Sequence, residues 1–405
     1  MIFLPTKQYQ AVHISFYFID KIETDAFLYR FLLARILTSY TQSYMSKQSL
    51  SKKLNALYGM FITNHIFILK DYHIMRFNFV FPNPNLVGSP EIMDDIINII
   101  KEMFFDRPLF KEDIFEEARR YTIAHIQSKK DHKLSYAKDR LMHHMFLNHP
   151  YGMPITGSLE EVYQVTLTET YDYYQKYFLN NQLQIYVCGA LDDDLKNKLS
   201  IFESYEKTIK IPPLEHYNMH RKIQTIDEHM NMHQTYIFLA YHLPVKRDDK
   251  RYVAALLAHT LIAGYPESLM YKTLRETYFM AYDVDSTFEY DKSVLILYAG
   301  VNIESASKAY HLMIETMNNF IFDGPSITSL NRAKDYLKNE ILSSLDFQDS
   351  IIPQRFIADL FQLNDVPTDL IDQINAVTLE DMLEVISMLK LDTTYVLNGD
   401  TTYEI

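Results

Sequence analysis

The stretch VTLTETYDYYQKYFLNNQLQIYVCGALD, residues 165–192, has a second version near the end of the chain, VTLEDMLEVISMLKLDTTYVLNGD, residues 377–400. Each opens on a threonine followed three residues later by an acid: Thr166 with Glu169, and Thr378 with Asp381. At that spacing the hydroxyl and the carboxylate satisfy free N–H groups at a helix start. Each then passes through a helical pattern into an apolar, β-rich run that reads as a strand. The offset is about half of the 405-residue chain, as a duplicated domain requires.

Working outward, the same order of elements is predicted in both halves. VHISFYF (12–18) alternates as a strand, and 24–46 and 48–58 read as helices, the second stopped by Gly59. FITNHIFIL (61–69) and YHIMRFNFVF (72–81) read as strands joined by a turn at Lys70 and Asp71. Helices are predicted at 90–104, at about 111–147 and from Thr166, ahead of the strand QLQIYVCGA (182–190). In the second half QTYIFLAYHL (234–243) reads as a strand, and 248–262 and 266–277 as helices. AYDVDSTFEY (281–290) and SVLILYAGV (293–301) form a predicted hairpin. Helices at 304–322, 327–346 and 378–389 then precede a last strand, TTYVLNG (393–399). The polar segment 207–222 holds two prolines and no helical period, so it reads as a linker. The expected fold class is α+β: two homologous domains, 1–206 and 223–405, each a mostly antiparallel sheet packed with helices.

Composition narrows the function. Hydrophobic residues at 48% and charged residues at 22% are the balance of a globular protein. No apolar run has the length of a membrane span. The net charge of −13 argues against nucleic acid and anionic membranes as partners and mildly favours cationic peptides. The single cysteine, Cys188, cannot form an internal disulfide, and no targeting presequence follows Met1, so a reducing cytoplasm is expected. The 31 Tyr and 25 Phe, with no Trp, are a large aromatic supply for cores or for an adaptable wall.

Three segments carry a resemblance. HPYGMPITGSLEEVYQVTLTETYDYYQKYF (149–178), FKEDIFEEARRYTIAHI (110–126) and LRETYFMAYDV (274–284) resemble segments of the pitrilysin/insulinase family of inverted zinc peptidases. That family includes subunits of the mitochondrial processing peptidase and short bacterial heterodimeric members. The resemblance spans essentially the whole chain and implies the family's duplicated metallopeptidase-like (LuxS-like) fold.

The family's zinc site is H-x-x-E-H on the first long helix plus a downstream acid. Two histidines one turn apart share a face and hold zinc with the acid as third ligand, while the intervening Glu acts as base on the bound water. Here the matching helix reads FLLARILTSYT (31–41). Phe31 stands for the first His, Ala34 for the base and Arg35 for the second His, and Ala124 with His125 replace the downstream acidic pair. Phe and Ala cannot ligate zinc, and a guanidinium repels it. The chain is therefore expected to bind no zinc and to be inactive on its own.

The resemblance also gives Arg275 and Tyr282 a meaning. In the family an Arg and a Tyr spaced seven apart in the second domain hold substrate opposite the zinc. In heterodimeric members the zinc comes from one subunit and this pair from the other. A bare reading of the eleven residues gives instead an Arg at a helix end and a Tyr filling a sheet. The resemblance implies a substrate-binding subunit paired with an H-x-x-E-H-bearing sister that holds the zinc, acting on peptides. A non-hydrolytic scaffold or peptide-binding homodimer is the alternative.

Other candidates weigh less. His229 and His233 have no third ligand nearby, and His143, His144 and His149 cluster before the HPYG turn, where turn packing or capping is expected. Lys129, Lys130 and Lys133 read as a solvated helix face. IAGYPESLM (262–270), at the place of a glycine-rich substrate loop in one relative, holds a single glycine. Cys188 falls in a buried strand, where a thiol is inert.

Overall fold

The structure, a computed structural model, describes residues 1–208, 219, 222–363 and 367–400. Ten strands are formed: β1 (Ile2–Pro5), β2 (Ala11–Lys21), β3 (Phe61–Leu69), β4 (Tyr72–Pro82), β5 (Gln182–Gly189), β6 (Gln224–Met230), β7 (Gln234–His242), β8 (Ala281–Glu289), β9 (Val294–Asn302) and β10 (Lys390–Gly399). They make two five-stranded sheets of identical topology, β1-β5-β2-β4-β3 and β6-β10-β7-β9-β8. In each, the first strand pairs parallel with the last (β1 with β5, β6 with β10) and every other pairing is antiparallel. The duplication read from residues 165–192 and 377–400 is thus a duplication of a complete sheet, and the α+β class holds.

Both capping boxes form. The Thr166 hydroxyl accepts from Glu169 N, and Thr378 accepts from Asp381 N, each at 3.2 Å. The acids return the bond to the threonine N–H groups at 2.9 and 2.7 Å. The β3–β4 hairpin turns at Lys70, whose φ of 55° is the left-handed value that tight hairpin turns use.

The described residues fall into two compact units. One gathers residues 1–129, 153–208 and 348–355; the other gathers 130–152, the described residues of 216–347, and those from 356 on. Most of the expected linker, 207–222, lies outside the described residues. In the first unit the inward faces of β2, β4 and β5 (Ile14, Phe16, Phe77, Phe79, Ile185) bury against helices Phe27–Ser39 and Ile92–Phe104. Phe16, Phe18, Phe77 and Phe79 all ring Phe104 within 5.7 Å, edge-on or tilted as aromatic quadrupoles prefer. In the second unit helices Tyr252–Ala263, Ala306–Asp323 and Leu379–Ser387 cover one sheet face. Helix Lys133–Met145 covers the other, packing Leu141 and Met145 against Phe238 and Tyr395. Arg140 and Tyr136 of that helix bind Glu228, which also accepts from the Tyr395 hydroxyl at 2.9 Å.

Four predicted helices differ from the structure. The helix expected over 24–46 ends at Ser39, because Tyr40 turns to extended backbone at φ −161°. The one expected over 48–58 runs Lys47–Ala56. The long helix expected at 111–147 is two, Glu112–Ser128 and Lys133–Met145, with a 3-10 turn at Lys129–Asp131 between them. Residues 127–133, QSKKDHK, offer no apolar side chain to hold a continuous helix against a core. Finally, 266–277 is not a regular helix: its last part, Tyr271–Thr277, is a π-helix.

Candidate functional site

Helix Phe27–Ser39 is anchored by a charge that never reaches water. Arg30 is fully buried and donates to Asn181 Oδ1 at 2.6 Å and to the carbonyls of Phe18 and His73 at 2.9 Å. Asp20 lies 3.6 Å from the guanidinium as counter-charge. With that face fixed, the face carrying Phe31, Ala34, Arg35 and Thr38 meets the helix Glu112–Ser128, since positions three and four apart share a face. Phe31 and His125 approach to 5.5 Å between ring centroids. His125 stacks on Tyr121, one turn before it, at 5.9 Å. The Arg35 guanidinium lies 3.2 Å above the centre of the Tyr121 ring, a cation–π contact.

The positions expected from the sequence therefore do converge, and they converge as a stack: Phe31, His125, Tyr121, Arg35. The His125 imidazole is the one customary zinc ligand among these four. These residues do not fit zinc, which takes three protein ligands in a catalytic site. Among the described residues there is no group of three His, Cys, Asp or Glu that could hold a metal ion. Sequence reasoning misses Tyr121; its one signal is the spacing of four from His125. Beside Arg35 opens a cleft of about 370 Å³, bounded by helix Lys47–Ala56 and by the start of β3.

Arg275 and Tyr282 sit on irregular backbone. Arg275 is in the π-helical turn Tyr271–Thr277, a feature frequent at functional sites. Between the two residues, Phe279 takes a φ of 53°, uncommon for an aromatic residue. Tyr282 is the extra residue of a β-bulge: Ala281 opposes Val301 and Asp283 opposes Gly300, so Tyr282 has no partner on β9. The bulge turns its side chain outward, 61% exposed. The structure brings the pair together, with Arg275 Nη1 donating to the Tyr282 carbonyl at 3.3 Å. Arg275 also lies 5.0 Å over the Tyr271 ring, and the Tyr282 hydroxyl donates to Asn302 Oδ1 at 2.7 Å. Around them Tyr278 and Phe279 are exposed, Phe279 at 82%. Both Arg275 and Tyr282 lie at the outer edge of the sheet, since β8 is its last strand.

Three of the other candidate histidines have structural partners. His149 Nδ1 accepts from Tyr151 N at 3.3 Å, and His143 Nδ1 lies 3.2 Å from the Gly152 carbonyl, which knits the HPYG turn. His229 pairs with Asp400 at 3.0 Å on the edge strand β6. Burial pushes the Cys188 thiol up, the direction of an unreactive cysteine. Gly264 closes the Tyr252–Ala263 helix rather than forming a loop.

A duplicated metallopeptidase-like chain whose metal helix carries no ligand set is the class that this fold and site define. Comparison with known proteins agrees. Residues 164–337 match the family model described as the Peptidase M16 inactive domain. The chain is 24% identical to the "Probable inactive metalloprotease YmfF" of Bacillus subtilis (strain 168), over 97% of this chain and 94% of that one. A conserved protein from Enterococcus faecalis V583 superposes with a TM-score of 0.89 at 20% identity, over 99% of this chain and 96% of that one. A structure titled as a peptidase M16 inactive domain, from Pseudomonas fluorescens, superposes at 0.83 with 17% identity, over 100% and 96%. The chain is thus similar, over nearly its whole length, to non-catalytic homologues of the M16 family, the pitrilysin/insulinase peptidases. No helix of the described residues is long and apolar enough to cross a membrane.

Proposed function

We propose that this chain is the substrate-holding, zinc-less subunit of a heteromeric zinc peptidase. It supplies Arg275 and Tyr282 to a site whose zinc is held by a sister subunit bearing H-x-x-E-H. One observation carries the reading. The π turn and the bulge converge to present Arg275 and Tyr282 together at an exposed sheet edge, while the helix that would hold zinc presents a Phe–His–Tyr–Arg stack.

The chemistry suits the assignment. A guanidinium binds the backbone carbonyls of an extended peptide, and a phenol donates to the oxyanion that forms on the attacked carbonyl. To donate there, the Tyr282 hydroxyl gives up its bond to Asn302. The outer edge of β8 can take an extended peptide as an added strand. The exposed Tyr278 and Phe279 form an apolar surface beside the pair, suited to a sister subunit. Cationic peptides match the net charge of −13, and the cytoplasm matches the lone thiol.

The test is peptidase turnover by the purified two-subunit complex. Arg275→Ala combined with Tyr282→Phe is expected to lower kcat by about 100-fold, the scale of losing oxyanion donors, with zinc content unchanged. An unchanged rate would remove the pair from the site; absence of any turnover, or of a sister subunit, would favour the non-hydrolytic scaffold or peptide-binding homodimer.

A further inference from the structure

We infer that the cleft beside Arg35 is a binding site for the free C-terminal carboxylate of a peptide with an apolar last residue. The inference rests on the reading that this chain holds peptides, and it assigns a second contact to that role.

Arg35 is the first reason. Its guanidinium carbon lies 3.2 Å over the centre of the Tyr121 ring, a contact that shields one side of the group and leaves N–H donors for hydrogen bonds. No hydrogen bond or ion pair to those donors is found among the described residues, although Arg35 is half-buried. A planar fork fixed by stacking is preorganised for two parallel bonds to a carboxylate.

The cleft is the second. The cations lining its 370 Å³ are Arg35 and Lys47, and Lys47 is already paired with Glu117. Arg35 is therefore the lining cation without an acid. The apolar part of the wall includes Leu50 and Met60, each only 3% exposed, and Leu54. A carboxylate on Arg35 would put the side chain of the same residue against that wall. The volume suits a few heavy groups at the end of a chain.

Charge decides which carboxylate. At −13 the protein repels acidic stretches as a whole. A terminal carboxylate on a neutral or basic peptide brings one negative charge to the one uncommitted guanidinium of the cleft and little repulsion elsewhere.

The experiment is fluorescence anisotropy on the full chain without a sister subunit, using one short neutral labelled peptide ending in leucine. Three forms are compared: free acid, C-terminal amide, and the amide with an internal glutamate. The free acid is expected to bind about tenfold or more tighter than either amide, the scale of a bidentate charged pair. Arg35→Ala should abolish that advantage, and Arg35→Lys, which keeps the charge but not the fork, should retain only part of it. Ser51→Trp, on the exposed side of the cleft, should block the free acid with Arg35 intact. Arg275→Ala with Tyr282→Phe should leave the free-acid preference unchanged.

Equal binding of acid and amide, or no saturable binding of any form, overturns the inference. A glutamate amide that binds as well as the free acid overturns the terminal assignment. None of these results touches the role proposed for Arg275 and Tyr282, which is read from turnover of the complex; loss of that role would conversely leave the free-acid preference standing.

Discussion

Helix Phe27–Ser39 and helix Tyr252–Ala263 each lead out from the central strand of their sheet, β2 and β7, and they do different work. The first is pinned by buried Arg30 and leaves Phe31, Arg35 and Thr38 half-exposed on the face that meets helix Glu112–Ser128. The second buries ten of its twelve residues and carries no Lys, Arg, Asp or Glu. One duplicated position carries two arginines and half-exposed side chains in the first unit and is an uncharged core pillar in the second. The functional-looking groups of the second unit lie past the pillar, on the π turn and the bulge. Duplication preserved the scaffold, while the side chains on the matching helices diverged.

Four substitutions would break or sharpen this contrast. Arg30→Met should have the largest effect, a loss of about 4 kcal/mol of stability in urea unfolding, because it strands Asp20, Asn181 and two buried carbonyls. A loss under about 1 kcal/mol would mean that the first helix is held by its apolar contacts alone.

Leu257→Ala tests the pillar. Leu257 is fully buried in the second core, and the deletion should cost about 3 kcal/mol in the same unfolding measurement, through transfer and cavity terms.

Glu289→Gln probes a half-buried charge of the second unit, at the end of β8 rather than in its helix. Burial alone would raise this carboxyl, but Lys292 and Lys138 outweigh it and bring it down to about 2 from the ordinary 4.5. A depressed folded-state value means that the contribution is complete above about 4.5 and fades as the pH falls toward 2. The wild type should therefore exceed Glu289→Gln by about 2 kcal/mol near neutral pH, and by clearly less at about pH 3, in chemical denaturation.

Arg35→Ala should be the mildest, about 0.5–1 kcal/mol, the value of a partly solvated cation–π contact. A larger loss would make Arg35 part of the framework rather than of a half-exposed face.

Much of this architecture is legible in the sequence where local chemistry and the hydrophobic pattern agree. The capping boxes at Thr166 and Thr378 and the hairpin turn at Lys70 are written in the residues that make them. The substituted positions Phe31, Ala34 and Arg35 can be located because a metal motif has fixed spacing on a helix. The edge strand β6 is not visible. Gln224, Ile226, Glu228 and Met230 face inward, and two of those four are polar, so the alternation that marks a half-buried strand is diluted. The helix Gln348–Leu360 is hidden by Pro353 in its interior, which ordinarily argues against a helix. The π turn and the bulge that aim Arg275 and Tyr282 leave no local signature, since both arise from how the segment docks on β9 and its helices. Tyr121 escapes notice because its role exists only once two helices meet.

The most direct test of the split-site account is purification of the tagged chain from its native cells, with the stoichiometry of co-purifying chains and of zinc both determined. The account expects one equimolar partner carrying H-x-x-E-H and about one zinc per pair, the content of a single three-ligand site. A metal-free homodimer of this chain would contradict it.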